Sequence, residues 1–339
     1  MKKILILVFF ILTCTVHAGI TYDPLHRYNV PSALGMGNAM SAHAKGTESP
    51  FYNPAGIVHA QETEVFFSHR NILDNNTYTV SSAFPNLIQI PFAVSLVHEN
   101  SGLIDKTKIS GGLPVDTGDT FSETRSILAF TSAVTLHEFD IGLNIKTISH
   151  TIDNDSASGI SGDIGLLKQY RQPIFGIIHN SAYSLTISNI LINKIRWSTN
   201  TEDNFNSDVT FGLKGSVFLG KSEIVLSFDN TFPTNTYEES ETAYGIDAAI
   251  IKNLHLRIGS NSAIGATLGV GFETNNIRFD YAYLSHTEQS LISHIFGITL
   301  SLGNNQTTAV ESTPEPTPVE TEITEVEELT LPEEKTLIQ

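Results

Sequence analysis

The chain has 339 residues, a net charge of −17 at pH 7 and one cysteine. An acidic chain repels phosphate groups, which argues against nucleic acid as a partner. No apolar run reaches the roughly eighteen residues that a membrane-spanning helix needs. Two fold classes remain, a soluble all-β protein and a transmembrane β-barrel.

The N-terminus is typical of a secretory signal peptide. Lys2 and Lys3 precede an apolar run from Ile4 to Leu12. A small residue, Ala18, then follows at the position that a signal peptidase accepts. We therefore predict that residues 1–18 are removed on export. The only cysteine, Cys14, is removed with them, so the mature chain is expected to have no disulfide and no thiolate metal site.

Residues 19–61 do not alternate and are rich in small side chains. One cluster of small residues contains Gly35 and Gly37, and a second reads Asn53-Pro54-Ala55-Gly56. Pro54 fixes its own φ and disfavours a helical conformation for Asn53, whereas Gly56 permits backbone conformations that other residues avoid. Small side chains let short helical turns pack closely in a narrow space. We therefore predict an N-terminal plug, or hatch, with short helices over residues 19–61.

The region from 62 to 302 repeats a pattern of period two. Segments of about ten residues alternate apolar with small or polar residues, and turn residues separate them. The clearest segment has Phe139 and Leu143 on one face and Asp140 and Asn144 on the other. Because successive side chains of a strand point to opposite faces, one face could meet lipid and the other a wet lumen. A soluble sandwich also alternates, so periodicity alone does not separate the two classes.

The number and spacing of these segments favour the barrel. We count fourteen, an even number that returns the chain to its starting side. Turns predicted for one side are short, near 135–137, 219–220, 251–252 and 274–275, although segment 169–181 is long. Loops predicted for the other side are longer, near 100–119, 151–158, 192–207 and 231–242. Bacterial outer-membrane barrels have short periplasmic turns and long extracellular loops. We therefore predict an all-β, transmembrane antiparallel barrel over residues 62–302, in the outer membrane of a diderm bacterium.

Thirteen ionisable side chains fall on the face that we assign to the lumen. They are Glu123, Arg125, Asp140, Lys146, Asp163, Lys214, Glu223, Asp229, Asp247, His255, Arg257, Arg278 and Asp280. Buried charges need partners, so we expect opposite charges to pair across strands and to bind the plug. A polar pathway for solutes is the alternative interpretation.

The C-terminal segment, residues 303–339, has a different composition. It contains nine glutamates, one lysine, four prolines and no aromatic residue. Such a segment cannot bury enough apolar surface to offset its ordering entropy, so we predict a disordered periplasmic tail. The tail is either a solvated spacer or a docking segment for a basic partner.

The plug sequence resembles a known group of outer-membrane proteins. The order Ala33-x-Gly35-Met36-Gly37-x-Ala39, followed by Asn53-Pro54-Ala55-Gly56-Ile57, is similar to the N-terminal hatch of the FadL/PorV superfamily. The resemblance continues through the C-terminal half, where Asp163–Leu167 looks more like the PorV branch than FadL itself. It implies a fourteen-stranded barrel whose hatch motif corresponds to Asn53, Pro54 and Ala55.

The resemblance implies two functions of different kinds. FadL-type members pass long-chain fatty acids or other hydrophobic compounds, the hatch rearranges, and a kinked strand opens a side gap toward the bilayer. Pro91 is a candidate for such a kink, although the simpler interpretation is that it starts the third strand. PorV-type members bind partner proteins during secretion. We expect the first function, with outer-membrane lipid and a hydrophobic ligand as partners, and keep a secretion or envelope-assembly role with protein partners as the alternative.

The sequence does not favour an enzyme. Ser, His and Asp are all present, but without metal-ligand spacing, a nucleophile elbow or a phosphate-binding loop. We therefore expect no catalytic residues, no cofactor and no metal.

Overall fold

The structure is a computed structural model that describes residues 29–72, 74–86, 89–190, 194–220, 222–234, 239–286 and 292–303. The predicted signal peptide, the first residues of the predicted plug and the acidic tail after Gly303 lie outside this range. Within it, no helix is both long and apolar enough to cross a membrane.

The described residues contain eighteen strands. In chain order they are β1 (Glu64–Ile72), β2 (Asn75–Phe84), β3 (Phe92–Asn100), β4 (Ile104–Ser110), β5 (Leu113–Phe121), β6 (Glu123–Leu136), β7 (Phe139–Ile152), β8 (Asp155–Tyr170), β9 (His179–Ser188), β10 (Lys194–Trp197), β11 (Glu202–Asn204), β12 (Asp208–Leu219), β13 (Ser222–Pro233), β14 (Glu241–Ile251), β15 (Leu254–Asn261), β16 (Gly265–Thr274), β17 (Ile277–His286) and β18 (Ile292–Ser301).

Fourteen of these strands form one closed antiparallel barrel, which confirms the predicted fold class. The exceptions are the two hairpins β4–β5 and β10–β11. The first and last strands pair, with Val65 opposite Leu300. The pairing of β8 with β9, with Leu166 opposite Leu185, completes the ring. Following the rule for bacterial barrels, we call the end with the short turns periplasmic and the opposite end extracellular.

A membrane barrel and a soluble sandwich differ in which face of their strands, the apolar or the polar one, is buried. On β7 the apolar Phe139, Leu143 and Ile145 are about half exposed, at 46%, 55% and 52%, whereas Asp140 and Asn144 are buried. In a soluble sandwich the apolar face would be the buried one. An apolar outer surface around a polar interior instead suits a barrel in lipid.

The loops differ from the sequence prediction in two ways. Hairpin β4–β5 occupies most of the loop predicted at 100–119 and extends to Phe121, and hairpin β10–β11 lies in the loop predicted at 192–207, where β10 pairs with the extracellular part of β8. The predicted long loop at 151–158 is wrong, since β7 continues to Ile152 and β8 begins at Asp155. Asp153 has a φ of 54°, a left-handed conformation that aspartate tolerates, and this permits a tight two-residue turn.

The plug, taken here as residues 29–61, consists of four short helical turns. They are α1 (Pro31–Gly35), the 3-10 turn Gly46–Glu48, α2 (Ser49–Tyr52) and the 3-10 turn Pro54–His59. A proline begins or nearly begins three of them, at positions where its missing N–H would have no helical partner in any case. Leu34 packs against wall residues of β17 and β18, and Ile57 packs against alanines of β2, β3 and β6. The plug therefore lies inside the barrel, in contact with two separate parts of the wall.

Candidate functional site

Asn53 connects the plug to itself and to the barrel wall. Its carboxamide oxygen accepts a hydrogen bond from the Ala55 N–H at 3.0 Å. Its amide nitrogen donates to the carbonyl of Ser41 in the plug and to that of Leu166 in β8, each at 3.1 Å. Asn53 is fully buried. A side chain with both a donor and an acceptor is needed to make all three bonds.

The wall carries glycines where the Asn53-Pro54-Ala55 segment contacts it. A Cβ added at Gly142 of β7 would lie 2.2 Å from the Ala55 nitrogen. One added at Gly165 of β8 would lie 2.0 Å from the Asn53 side-chain oxygen. The plug backbone therefore packs directly on the strand at Gly142, and the side chains of Asn53 and Pro54 do so at Gly165.

The Gly-Met-Gly segment makes a similar contact on the other side of the barrel. A Cβ at Gly35 would come within 2.8 Å of the Cα of Gly269 in β16. Gly37 has a φ of 64°, a left-handed conformation that favours glycine, and lies against Gly259 of β15. Gly56 does not have such a φ; its requirement is spatial, because a Cβ there would lie 2.1 Å from the Ala44 carbonyl oxygen.

Asp229 of β13 binds the middle of the plug. One carboxylate oxygen accepts from the N–H groups of Met40 and Ser41 at 2.9 and 2.8 Å, and the other accepts from the Ser41 hydroxyl at 2.7 Å. The Ser41 hydroxyl also lies 2.8 Å from that of Ser184 in β9. A polar cavity of about 10 Å³ adjoins these groups, which is room for one water molecule at most.

A chain of ion pairs runs from the plug along the wall of β14, β15 and β17. Glu48 of the plug pairs with Arg278 at 2.8 Å, and Arg278 pairs with Asp280 at 2.8 Å. Asp280 continues to Arg257 at 2.7 Å, which pairs with Asp247 at 3.0 Å. His255 ends the chain, 2.9 Å from Asp247. Removing Glu48 would leave the wall network without its bond to the plug.

A second buried network lies where β8 changes partners. Lys146 donates to Asp163 at 2.6 Å and to the Asn189 side chain at 2.8 Å. Asn144 of β7 donates both to Asp163 at 2.9 Å and to the plug carbonyl of Pro50 at 3.0 Å. This network stabilises the wall between the β9 and β10 pairings of β8 and also contacts the plug.

The other predicted residues lie near the two ends of the barrel. At the periplasmic end, Asp140 is 2.8 Å from His59, the last residue of the plug's final helical turn. At the extracellular end, Glu123 pairs with Arg125 and with His150. Pro91 lies just before β3, whose register with β2 and β6 is unshifted from Phe92 onward, so it starts the strand and does not kink it.

Two lysines at the periplasmic side of the plug stand apart from these networks. Lys214 of β12 and the exposed Lys45 of the plug make no ion pair or hydrogen bond within the described residues. The Nδ1 atom of His43, next to them in the plug, is buried without a partner in the same part of the chain. Burial, followed by the positive charges of Lys214 and Lys45, lowers the pKa of His43 well below its ordinary value. The two charges that act most strongly on His43 are therefore positive.

Sequence reasoning missed several of these residues. Glu48, Ser41 and Asn144 have no motif that marks them, since their roles depend on contacts between distant segments. A signal existed for the wall glycines, because Gly142 and Gly165 fall on the inward face of alternating strands, where the missing side chain leaves space for the plug.

Comparison with known proteins identifies solved structures with a similar fold. No protein-family model matches the chain, and no curated protein matches its sequence. Among solved structures, the toluene transporter TbuX of Ralstonia pickettii superposes with a TM-score of 0.53 at 12% identity, covering 80% of this chain and 97% of that one. The chain is a transmembrane β-barrel with the TbuX fold.

A FadL homologue of Pseudomonas aeruginosa is also similar, with a TM-score of 0.48 at 11% identity over 84% of this chain and all of the other. The comparisons contain no support for the PorV branch.

Proposed function

We propose that this barrel conducts hydrophobic molecules with a carboxylate head group, such as long-chain fatty acids, across the outer membrane. The observation that carries the proposal is a pair of lysines, Lys45 and Lys214, that have no ion-pair or hydrogen-bond partner among the residues the structure describes. The similar fold of TbuX, described as a toluene transporter, supports a hydrophobic substrate class.

The way in which the plug is attached favours a pathway that opens when the plug moves. Most plug side chains are buried against the wall, so a long molecule needs the plug to shift before it can pass. Polar groups attach the plug to the wall at separate points, among them Asn53, Ser41 and Glu48. Each such bond contributes about 1–3 kcal/mol, and none of the three belongs to the strand pairing that closes the barrel, so breaking them leaves that pairing in place.

These two lysines favour a substrate with a carboxylate group over a neutral hydrocarbon. The other described cations of the lumen have carboxylate partners, as Lys146, Arg257 and Arg278 do. Lys45 and Lys214 are close enough to act on each other electrostatically, and Glu223 is the carboxylate that most offsets Lys214. An amphiphile with a carboxylate head group would neutralise this pair as it passes the plug.

The proposal is tested by comparing two substrates in one assay. We expect the Lys45→Gln, Lys214→Gln double variant to take up oleate about tenfold more slowly, while its uptake of toluene stays unchanged. Lys168→Gln is the matched control, because Lys168 lies on the outer face of β8 and pairs with Glu138. Equal loss for both substrates, or no loss for either, would contradict the carboxylate assignment.

A strain that lacks this protein distinguishes transport from the secretion alternative. If the wild-type barrel takes up neither substrate, but its deletion blocks export of other envelope proteins, the transport proposal is wrong. Whole-cell cross-linking from the periplasmic end would then identify the protein partner.

A further inference from the structure

Histidine and tyrosine side chains form a band on the outer surface of five adjacent strands, near the extracellular end, with Phe296 of β18 between Tyr281 and His69. We call it the His–Tyr belt. Its members are His69 of β1, Tyr78 of β2, His98 of β3, Tyr281 and Tyr283 of β17, and His294 of β18. Register makes them neighbours: Tyr78 is opposite both His69 and His98, and Tyr283 is opposite His294.

The belt lies at the level where the membrane core ends. Two residues nearer the periplasm, about 7 Å along the strands, the outward side chains are Phe67, Val80 and Leu96. On β1 and β2 the next outward pair is polar, with Asn71 opposite Asn76, and Asn71 is also opposite His294 of β18. The belt therefore occupies the boundary between hydrocarbon and lipid head groups of the outer leaflet, where aromatic girdles are found.

The side chains of the belt are already ordered by contacts with one another. The rings of His69 and Tyr78 stack with centroids 4.8 Å apart, and Tyr281 lies 5.0 Å from Phe296. The Tyr281 hydroxyl is 2.7 Å from His294 Nδ1, and the Ser126 hydroxyl is 2.9 Å from His98 Nδ1. A ligand at this surface meets groups whose orientation is largely fixed, which lowers the entropy cost of binding.

These contacts leave hydrogen-bond donors free. A neutral histidine and a hydroxyl together carry two hydrogen-bonding protons, and the bond between them uses one, so each pair keeps one donor in either tautomer of the ring. This holds for His98 with Ser126 and for His294 with Tyr281, and the hydroxyls of Tyr78 and Tyr283 have no partner in the described part of the chain. The belt therefore presents a row of free hydrogen-bond donors.

The surface around the belt suits the anionic head group of a lipid. On the outward faces of these five strands, the described side chains include no Asp, Glu, Lys or Arg, so nothing repels a negative group and nothing pairs with a charged protein surface. Among the side chains described on the other nine barrel strands, no outward-facing histidine lies at this level. A phosphate group has several acceptor oxygens and little donor capacity, and it complements such a row.

We propose that the His–Tyr belt binds the phosphorylated head group of an outer-leaflet glycolipid, on the side of the barrel formed by β17, β18, β1, β2 and β3. The inference depends only on the barrel and its orientation, not on the transported substrate.

Native mass spectrometry of the detergent-extracted full chain tests this site, with a diphosphorylated lipid A-type glycolipid and its dephosphorylated counterpart as probes. We expect the wild-type protein to retain the phosphorylated probe about tenfold more than the dephosphorylated one. Inorganic phosphate in excess should not displace it, because the acyl chains contribute to binding. Equal retention of the two glycolipids, or displacement by inorganic phosphate, would overturn the proposal.

Matched variants locate the site. Tyr78→Phe, Tyr283→Phe, His98→Phe and His294→Phe together keep the rings and remove the donors, and should abolish the preference for phosphate. The control carries Tyr170→Phe, Tyr183→Phe and His179→Phe, an aromatic group at the periplasmic end, and should keep it. A preference that survives in the first variant, or a protein cross-linked at Tyr78 in whole cells in place of lipid, would also overturn the proposal.

Discussion

Arg278 of the barrel wall donates to Glu48 of the plug at 2.8 Å while its Nε donates to Asp280, at the same distance, in its own strand. One guanidinium thus connects the plug to a wall network that continues to Arg257. Because Arg278 keeps Asp280 if the plug leaves, this connection can break without leaving the arginine uncompensated.

Glu48→Ala should loosen the plug while leaving the barrel folded. Breaking a buried ion pair by removing one partner costs about 3–5 kcal/mol, and the retained Asp280 places the expected loss at the lower end. Hydrogen exchange of residues 31–57 measures the change as faster exchange of plug amides, with the strand amides unchanged. The matched control is Glu138→Ala, which removes an exposed carboxylate from Lys168 on the outer face. Unchanged plug exchange in Glu48→Ala would contradict the role of this ion pair.

Gly142→Ala should displace the Asn53-Pro54-Ala55 segment. The added Cβ would lie 2.2 Å from plug backbone atoms, which cannot rotate away as a side chain can. Overpacking of this kind costs about 1–3 kcal/mol. Gly215→Ala of β12 is a suitable control, since its Cβ would meet only a terminal methyl group of Ile178. Protease accessibility of the plug should increase in the first variant and not in the second; equal accessibility would argue against direct backbone packing.

The sequence predicts the features that depend on residues close together in the chain, but not those that depend on contacts between distant residues. Alternation is local, so the inward position of Asp140 and the outward position of Phe139 followed from the sequence, as did the fourteen strands. The strand ends did not follow from the sequence, because the turn at Asp153 depends on a left-handed conformation that composition does not reveal. The partner of Glu48 is 230 residues away and could not be inferred from spacing.

Locking the plug to the wall should stop uptake. The hydroxyls of Ser41 and Ser184 are 2.8 Å apart, so Ser41→Cys with Ser184→Cys places two sulfurs close enough for a disulfide. We expect the oxidised variant to lose oleate uptake and to regain it on reduction. The control is Thr210→Cys with Thr231→Cys, two wall residues whose hydroxyls are 2.9 Å apart and whose cross-link leaves the plug free. Full uptake by the oxidised Ser41–Ser184 variant would show that the plug need not move there.

His43 should make plug release depend on pH. In the closed barrel, burial and the charges of Lys214 and Lys45 keep the pKa of His43 well below its ordinary value, and Arg257 acts in the same direction while Asp247 opposes it. A released plug exposes His43, whose pKa then returns to about 6.5. The released form therefore binds more protons, so the stability of the closed form is fully present above about pH 6.5 and falls as the pH decreases below that value. Plug hydrogen exchange, corrected for the intrinsic pH dependence of exchange, should show more frequent opening at about pH 5 than at pH 7.5. His43→Gln removes the titrating group and should flatten this dependence, whereas His179→Gln at the periplasmic rim should not. A pH profile that His43→Gln leaves unchanged would assign the effect to another group.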